Sequence, residues 1–158
     1  MTHPRFAAAV LGIGLVWIGA TWSPMASSAE EPPPAVEHLN EDPATTAPYS
    51  DAVRVGSTLY LAGNLGLDEK GNLVPGGITA EAEKTMENLK HVVEHNGSSL
   101  DRVAACEVML ADIAERDAFN EVYKKYWEPG KFPARHAFGV TGLYLGARVE
   151  ISCVAVVN

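Results

Sequence analysis

The run "ARVEISCVAVV", residues 147–157, sets the strongest limit on what this chain can fold into. It is almost continuously apolar and rich in β-branched side chains, the signature of a strand in the middle of a sheet. A central strand needs neighbours, and the rest of the sequence supplies them. "AVRV" (52–55) and "TLYLA" (58–62) predict two short strands joined by a tight hairpin at Gly56 and Ser57. "RVAACEVML" (102–110) and "ARHAFGV" (134–140) predict two more. Between them, Thr79 is placed to cap a helix whose first turn carries Glu81 and Glu83, and Asn96-Gly97 ends it after His95. A second helix over 115–127 has Phe119, Val122, Tyr123 and Tyr126 at helical spacing. The order ββαβαββ predicts an α+β fold with two helices on one face of a sheet.

The chain has 158 residues, of which 47% are apolar, enough for one domain with its own core. Residues 1–29 read as something else. One cation, Arg5, precedes an uncharged apolar run from Phe6 to Ala20, and the small residues Ser27 and Ala29 follow at the spacing of a cleavage site. That is the pattern of a secretory signal peptide, and the run is short of the ~20 residues that span a bilayer. The expected mature protein is exported, periplasmic or secreted, with no stable membrane association after cleavage near Ala29. Residues 30–47, "EEPPPAVEHLNEDPATTA", are rich in Pro and acid and read as a flexible leader, which leaves 48–158 as the folded domain.

The formal net charge is −8 at pH 7, and loss of Arg5 with the signal makes it −9. No basic stripe offsets this charge, which argues against nucleic acid as a partner. The two cysteines, Cys106 and Cys153, lie in apolar strand-like runs and read as buried free thiols, with a disulfide as the alternative that export would allow.

"KHVVEHNG" (90–97) contains His91, Glu94 and His95 as H-x-x-E-H, the pattern of an inverted zinc peptidase. Helical periodicity decides against that use. With Leu89 at zero and about 100° per residue, Ala82, Met86, Val92 and Val93 fall within about 60° of it, while His91 and His95 point away to solvent. A catalytic zinc needs three protein ligands in a cleft, and the sequence offers no evident third. No metal is expected.

Two other residues sit where charge is expensive. Arg135 follows "KFPA" in a run that is apolar apart from its cations, and Glu150 interrupts the central strand. Each needs a partner, a ligand or a water. They pair with each other as a structural ion pair, or they form a site in which the guanidinium grips a carboxylate and the glutamate holds a water.

The segments "APYSDAV", "YLAGNLGLD", "ENLKHVVEHNGSSLDRV", "AFNEVY", "FPAR" and "RVEI" stand in an order and at spacings that resemble the Rid family of reactive intermediate deaminases, also called endoribonuclease L-PSP proteins, from about Ala47 to Val156. The resemblance implies a chorismate-mutase-like fold, a homotrimer whose sheets form a central barrel, and sites in the clefts between subunits. It implies that Arg135 binds the carboxylate of a 2-imino or enamine acid. Glu150 would position the water that attacks the C=N carbon, giving ammonia and a 2-oxo acid. Tyr49 of a neighbouring subunit, the Gly63 backbone, Asn120 and a backbone N–H at Ala137 would complete the pocket, without metal or cofactor. His136, Ala137, Gly142, Tyr144 and "GNLG" (63–66) depart from the family's usual residues around the pocket mouth and put substrate range in question. A non-catalytic trimer that binds small carboxylates is the alternative, and ribonuclease activity ranks below it on charge.

Overall fold

The computed structural model describes residues 32–157; the expected signal segment, residues 1–29, lies outside them. The described strands form one mixed sheet: β1 (Val36–Leu39), β2 (Ala52–Val55), β3 (Thr58–Leu61), β4 (Asn64–Leu65), β5 (Val103–Leu110), β6 (Ala134–Gly139) and β7 (Val149–Val156). Their order is β1-β2-β3-β7-β5-β6, and β4 pairs with β7 beyond the end of β3. Only the β5–β6 pair is parallel. A parallel neighbour needs a crossover, and the second helix, α2 (Arg116–Tyr123), lies within it. The first helix, α1 (Gly77–His95), lies against β7, β4 and α2. The predicted α+β class and central position of the last strand therefore stand.

Among the described residues, one face of the sheet is covered and the other is left open. On β7, Val149, Ile151, Cys153 and Ala155 are buried on the helix side, while Glu150, Ser152 and Val154 are half-buried and Val156 is exposed. The covered side holds a core that includes Leu59, Met86, Leu89, Leu110, Phe119 and Ile151. Burying side chains of this size stabilises by about 1.5–3 kcal/mol each. The open side leaves Tyr60 (50%), Phe138 (43%) and Val156 (41%) exposed.

Several expectations are corrected. Part of the stretch read as a flexible leader is β1, which pairs antiparallel with β2 from Val36↔Val55 to Leu39↔Ala52. Without it the outer edge of β2 would leave its backbone groups unpaired. Two side chains hold its exit in place. Asn40 Oδ1 accepts from the Asp51 N–H, and Asp51 Oδ2 accepts from the Glu41 N–H.

Helix α1 begins at Gly77, two residues before the expected Thr79 cap, and no side chain caps it. Gly76 and Gly77 both take positive φ, 121° and 74°, a turn that side chains would oppose. Glu81 does not serve the helix dipole. It is buried, and its carboxylate accepts the backbone N–H groups of Arg148 and Val149 where β7 begins.

The thiols are not free. Cys106 on β5 and Cys153 on β7 are directly opposed, both on the covered face, and form a disulfide with Cα atoms 4.1 Å apart. Their pairing depends on strand register, which apolar runs alone do not specify.

Candidate active site

Arg135 lies on β6, in register with Cys106 of β5, and its side chain turns toward the helices. Nη2 donates to Asn120 Oδ1 at 2.7 Å. The guanidinium carbon stands 4.5 Å from the Tyr123 ring centroid and 5.7 Å from that of Phe119. Contacts of a cation with ring faces stabilise by about 0.5–2 kcal/mol, more as water is excluded. Helical spacing explains the arrangement, because Phe119, Asn120 and Tyr123 project from neighbouring turns of α2. Tyr123 is itself packed between Phe119 and Trp127, with centroid separations of 5.5 and 5.2 Å.

Burial pulls the Arg135 pKa below the usual arginine value; Tyr123 opposes this and Arg116 adds to it. The group remains a cation at neutral pH, as arginine side chains in proteins do. Burial likewise pushes the Tyr123 phenol up to about 12, with Arg135 acting in the opposite direction. The phenol oxygen is buried without a hydrogen-bond partner among the described residues. A cavity of about 350 Å³ opens beside Arg135, walled by Asn120, Tyr123, Lys124, Phe132 and Pro133. That volume suits a small ligand. Beyond its bond to Asn120, the guanidinium makes no other hydrogen bond to the described residues, which leaves donors for a planar anion.

Glu150 is on the other face. It pairs in register with Met109 of β5 and Leu65 of β4, and it alternates with the core residues Val149 and Ile151. Its carboxylate lies over Gly63, in the break between β3 and β4. A Cβ on Gly63 would stand 1.9 Å from Glu150 Oε1, so any other residue there would force the carboxylate to move. The proposed structural ion pair does not form: among the described residues Glu150 makes no salt bridge, and Arg135 bonds to Asn120 instead. Within one chain, Arg135 and Glu150 share no cleft.

The remaining expected residues divide between these two places. Asn120 lies with Arg135, and Ala137 follows two residues later on the same face of β6, packed against the core. Gly63 lies with Glu150. Tyr49 is 63% exposed and has no polar or ring contact with other described residues. His136 faces away from Arg135, as strand alternation requires, and lines a cavity of about 330 Å³ on the open face with Tyr60, Glu107 and Ser152. Tyr144 is 68% exposed, beside Leu145, which takes a φ of 56° that non-glycine residues seldom adopt. Tyr123, Phe132 and Pro133 are cavity walls that the site reading missed. Their signals were the helical register of Tyr123 with Asn120 and the adjacency of "FP" to Arg135.

On α1, both histidines face solvent as periodicity predicts, but a third donor does stand beside them. It is Glu41, brought there by β1.

A guanidinium held by an amide and two rings at the edge of a small cavity, on an α+β sheet whose other face the described residues leave uncovered, has the geometry to receive a small ligand. The comparisons with known proteins give the family. The model described as Endoribonuclease L-PSP matches residues 39–157, and the chain belongs to that family, which includes the Rid proteins. It is 43% identical over 115 residues to 2-iminobutanoate/2-iminopropanoate deaminase of Mus musculus, covering 72% of this chain and 84% of that protein. The crystal structure of RidA from the Antarctic bacterium Psychrobacter sp. PAMC 21119 superposes with a TM-score of 0.67 at 38% identity, covering 73% of this chain and 93% of that one. That of E. coli TdcF with bound serine superposes with a TM-score of 0.69 at 25% identity, covering 77% and 100%.

Proposed function

We propose that the protein hydrolyses 2-imino acids to 2-oxo acids and ammonium, and that each site joins the Arg135 face of one copy to the Glu150 face of another in a homotrimer with a chorismate-mutase-like fold. The observation that carries this reading is the separation itself. Among the described residues Arg135 has a cavity and free donors but no carboxylate bonded to it, while Glu150 has a cleared space over Gly63 but no cation paired with it. The exposed apolar side chains of the open face, Tyr60, Phe138 and Val156, supply the reason for copies to associate. The names of the deaminase relatives and the serine bound to TdcF support a small amino-acid-derived carboxylate as the ligand.

In this reading Arg135 takes the substrate carboxylate through two parallel N–H bonds. Asn120 and the Tyr123 ring fix the plane of the guanidinium. Glu150 accepts a proton from the water as its oxygen bonds to the imine carbon. The proton then passes to the nitrogen, the C–N bond breaks, and the balance is R–C(=NH2+)–COO− plus water giving R–CO–COO− plus ammonium. A protonated imine is already a good electrophile, so holding substrate and water in attack geometry supplies most of the acceleration. Tyr49 of a neighbouring copy and the Ala137 N–H complete the pocket. The buried disulfide suits an oxidising compartment. Together with the N-terminal pattern, it supports export and therefore imines produced outside the cytoplasm.

The test generates 2-imino acids in place with an amino-acid oxidase and follows their loss. Arg135→Ala and Glu150→Ala are each expected to be inactive. Dissociating the two inactive proteins and reassembling them together is expected to restore about a quarter of the sites, because half of the interfaces receive an intact Arg135 and half of those an intact Glu150. No acceleration by the parent protein refutes the deaminase reading. An active parent with no restoration on mixing refutes the shared site. Ligand-induced thermal stabilisation that requires Arg135, without turnover, identifies a carboxylate-binding protein instead.

A further inference from the structure

His91 and His95, one turn apart on α1, are both exposed, with ring centroids 5.9 Å apart. Glu41 reaches the same place from just beyond β1, with its two carboxylate oxygens 3.1 and 3.2 Å from His91 Nε2. One donor atom from each of the three residues lies within 4.8 Å of the others. Glu41 is not at the end of a loose tail. Its own N–H donates to Asp51 at 2.9 Å, the Asp51 N–H donates to Asn40 at 3.0 Å, and His38 and Ser50 bond at 3.2 Å across the same connection.

We propose that Glu41, His91 and His95 form a binding site for a divalent transition-metal ion of the zinc class, which ties the exit of β1 to α1. Two imidazole nitrogens with one carboxylate oxygen suit such an ion, whereas calcium and magnesium are held by oxygen alone. Donors sharing a tetrahedral zinc at 2.0–2.1 Å stand about 3.3 Å apart. The His91–Glu41 spacing of 3.1 Å already meets that distance. His95 closes the remaining gap by a change of rotamer, which its exposure permits. Water fills the open position from a space of about 120 Å³ between Glu41, Asp51, Val92, His95 and Asn96.

The competing account is a plain His91–Glu41 surface ion pair. That account leaves His95 without a role, and the test separates the two. The ion's role in the proposal is structural. Glu94, the residue that would act as base in an H-x-x-E-H peptidase, turns instead toward Lys90 at 3.8 Å.

The experiment is calorimetric titration of the tag-free, chelator-treated protein with zinc chloride, with cobalt(II) absorption as a second probe of imidazole ligation. The expected result is one saturable site per chain. It is lost in His91→Ala and in His95→Ala, at least tenfold weaker in Glu41→Gln, and unchanged in His136→Ala. Hydrogen exchange at residues 36–41 is expected to slow with zinc in the parent and not in Glu41→Gln. Absence of saturable uptake overturns the site, as does uptake that survives the double change His91→Ala/His95→Ala. Uptake equally tight in Glu41→Gln overturns the clamp. Imine hydrolysis does not enter the readout, so this proposal and the deaminase reading fail separately.

Discussion

On the covered face of the sheet Arg135 is supported by its own chain: an amide oxygen at 2.7 Å, an aromatic ring at 4.5 Å, and a proline-bounded strand start beside it. On the open face Glu150 has space kept clear by a glycine and no bonding partner among the described residues. One charge is fixed by contacts within its own chain, and the other is not. A single chain that had only to fold would bring the two together and neutralise both. Their separation across the sheet is costly alone, and in the assembly proposed above each would supply what the other lacks.

The largest expected effects follow from that contrast. Arg135→Ala is expected to lower kcat/KM by about 10³-fold or more, a loss of about 4 kcal/mol in transition-state binding. Glu150→Gln is expected to lower kcat by 10²- to 10⁴-fold, about the contribution of a positioned base, with little change in KM. Steady-state kinetics with oxidase-generated imines check both. Urea unfolding of Glu150→Gln is expected to match the parent, because the carboxylate makes no contact that folding depends on. A stability loss as large as the activity loss would show that Glu150 is structural and break the comparison.

Below these stands the disulfide, which belongs to the covered face alone. It closes a loop with a sequence separation of 47, and loop-closure entropy puts its contribution at about 3–4 kcal/mol. Cys106→Ala/Cys153→Ala is expected to lose that much in denaturant unfolding while folded protein keeps its imine hydrolysis, since neither sulfur belongs to the proposed site. Next comes Gly63→Ala, which acts on the open face alone. Its Cβ would displace the Glu150 carboxylate, and a shift of about 1 Å costs up to 10²-fold in rate. Stability is expected to change by less than about 1 kcal/mol, because the carboxylate can swing into solvent. The two variants should thus separate stability on one face from activity on the other.

Both charges proposed for the site were legible as single residues, because a charge inside an apolar run stands out: Arg135 after "KFPA" and Glu150 within "RVEISCVAVV". Their opposite orientation was not legible. It depends on the register that sets Cys106 against both Arg135 and Cys153 but Met109 against Glu150. The same register hid the disulfide. Periodicity identified the buried side of α1 through Met86, Leu89 and Val93 but not Glu81, whose burial depends on the backbone of β7, 68 residues away in sequence. Strand β1 escaped notice because four residues inside a Pro- and acid-rich stretch gain their structure only from the edge of β2. With β1 went Glu41, and with Glu41 the third donor beside His91 and His95.

The smallest effect at neutral pH belongs to Tyr123, and it shows which part of that side chain supports Arg135. The ring lies against the guanidinium, whereas the hydroxyl is buried with no partner. Tyr123→Phe keeps the ring face and removes a polar atom left unsatisfied, so activity should stay within about threefold and stability should hold or rise by about 1 kcal/mol. The alkaline limb separates the variants more clearly. Folding raises the phenol from 10.0 to about 12, so the folded state favours the protonated form. Its contribution is complete below pH 10 and is lost as the pH rises through about 12. Across that window this group makes the unfolding free energy fall with a slope approaching about 1.4 kcal/mol per pH unit. Urea midpoints measured from pH 9 to 12 should show a steeper decline for the parent than for Tyr123→Phe. Parallel curves would mean that the phenol ionises as freely in the folded protein as in the unfolded chain, and that the covered face is wetter around Arg135 than its aromatic walls require.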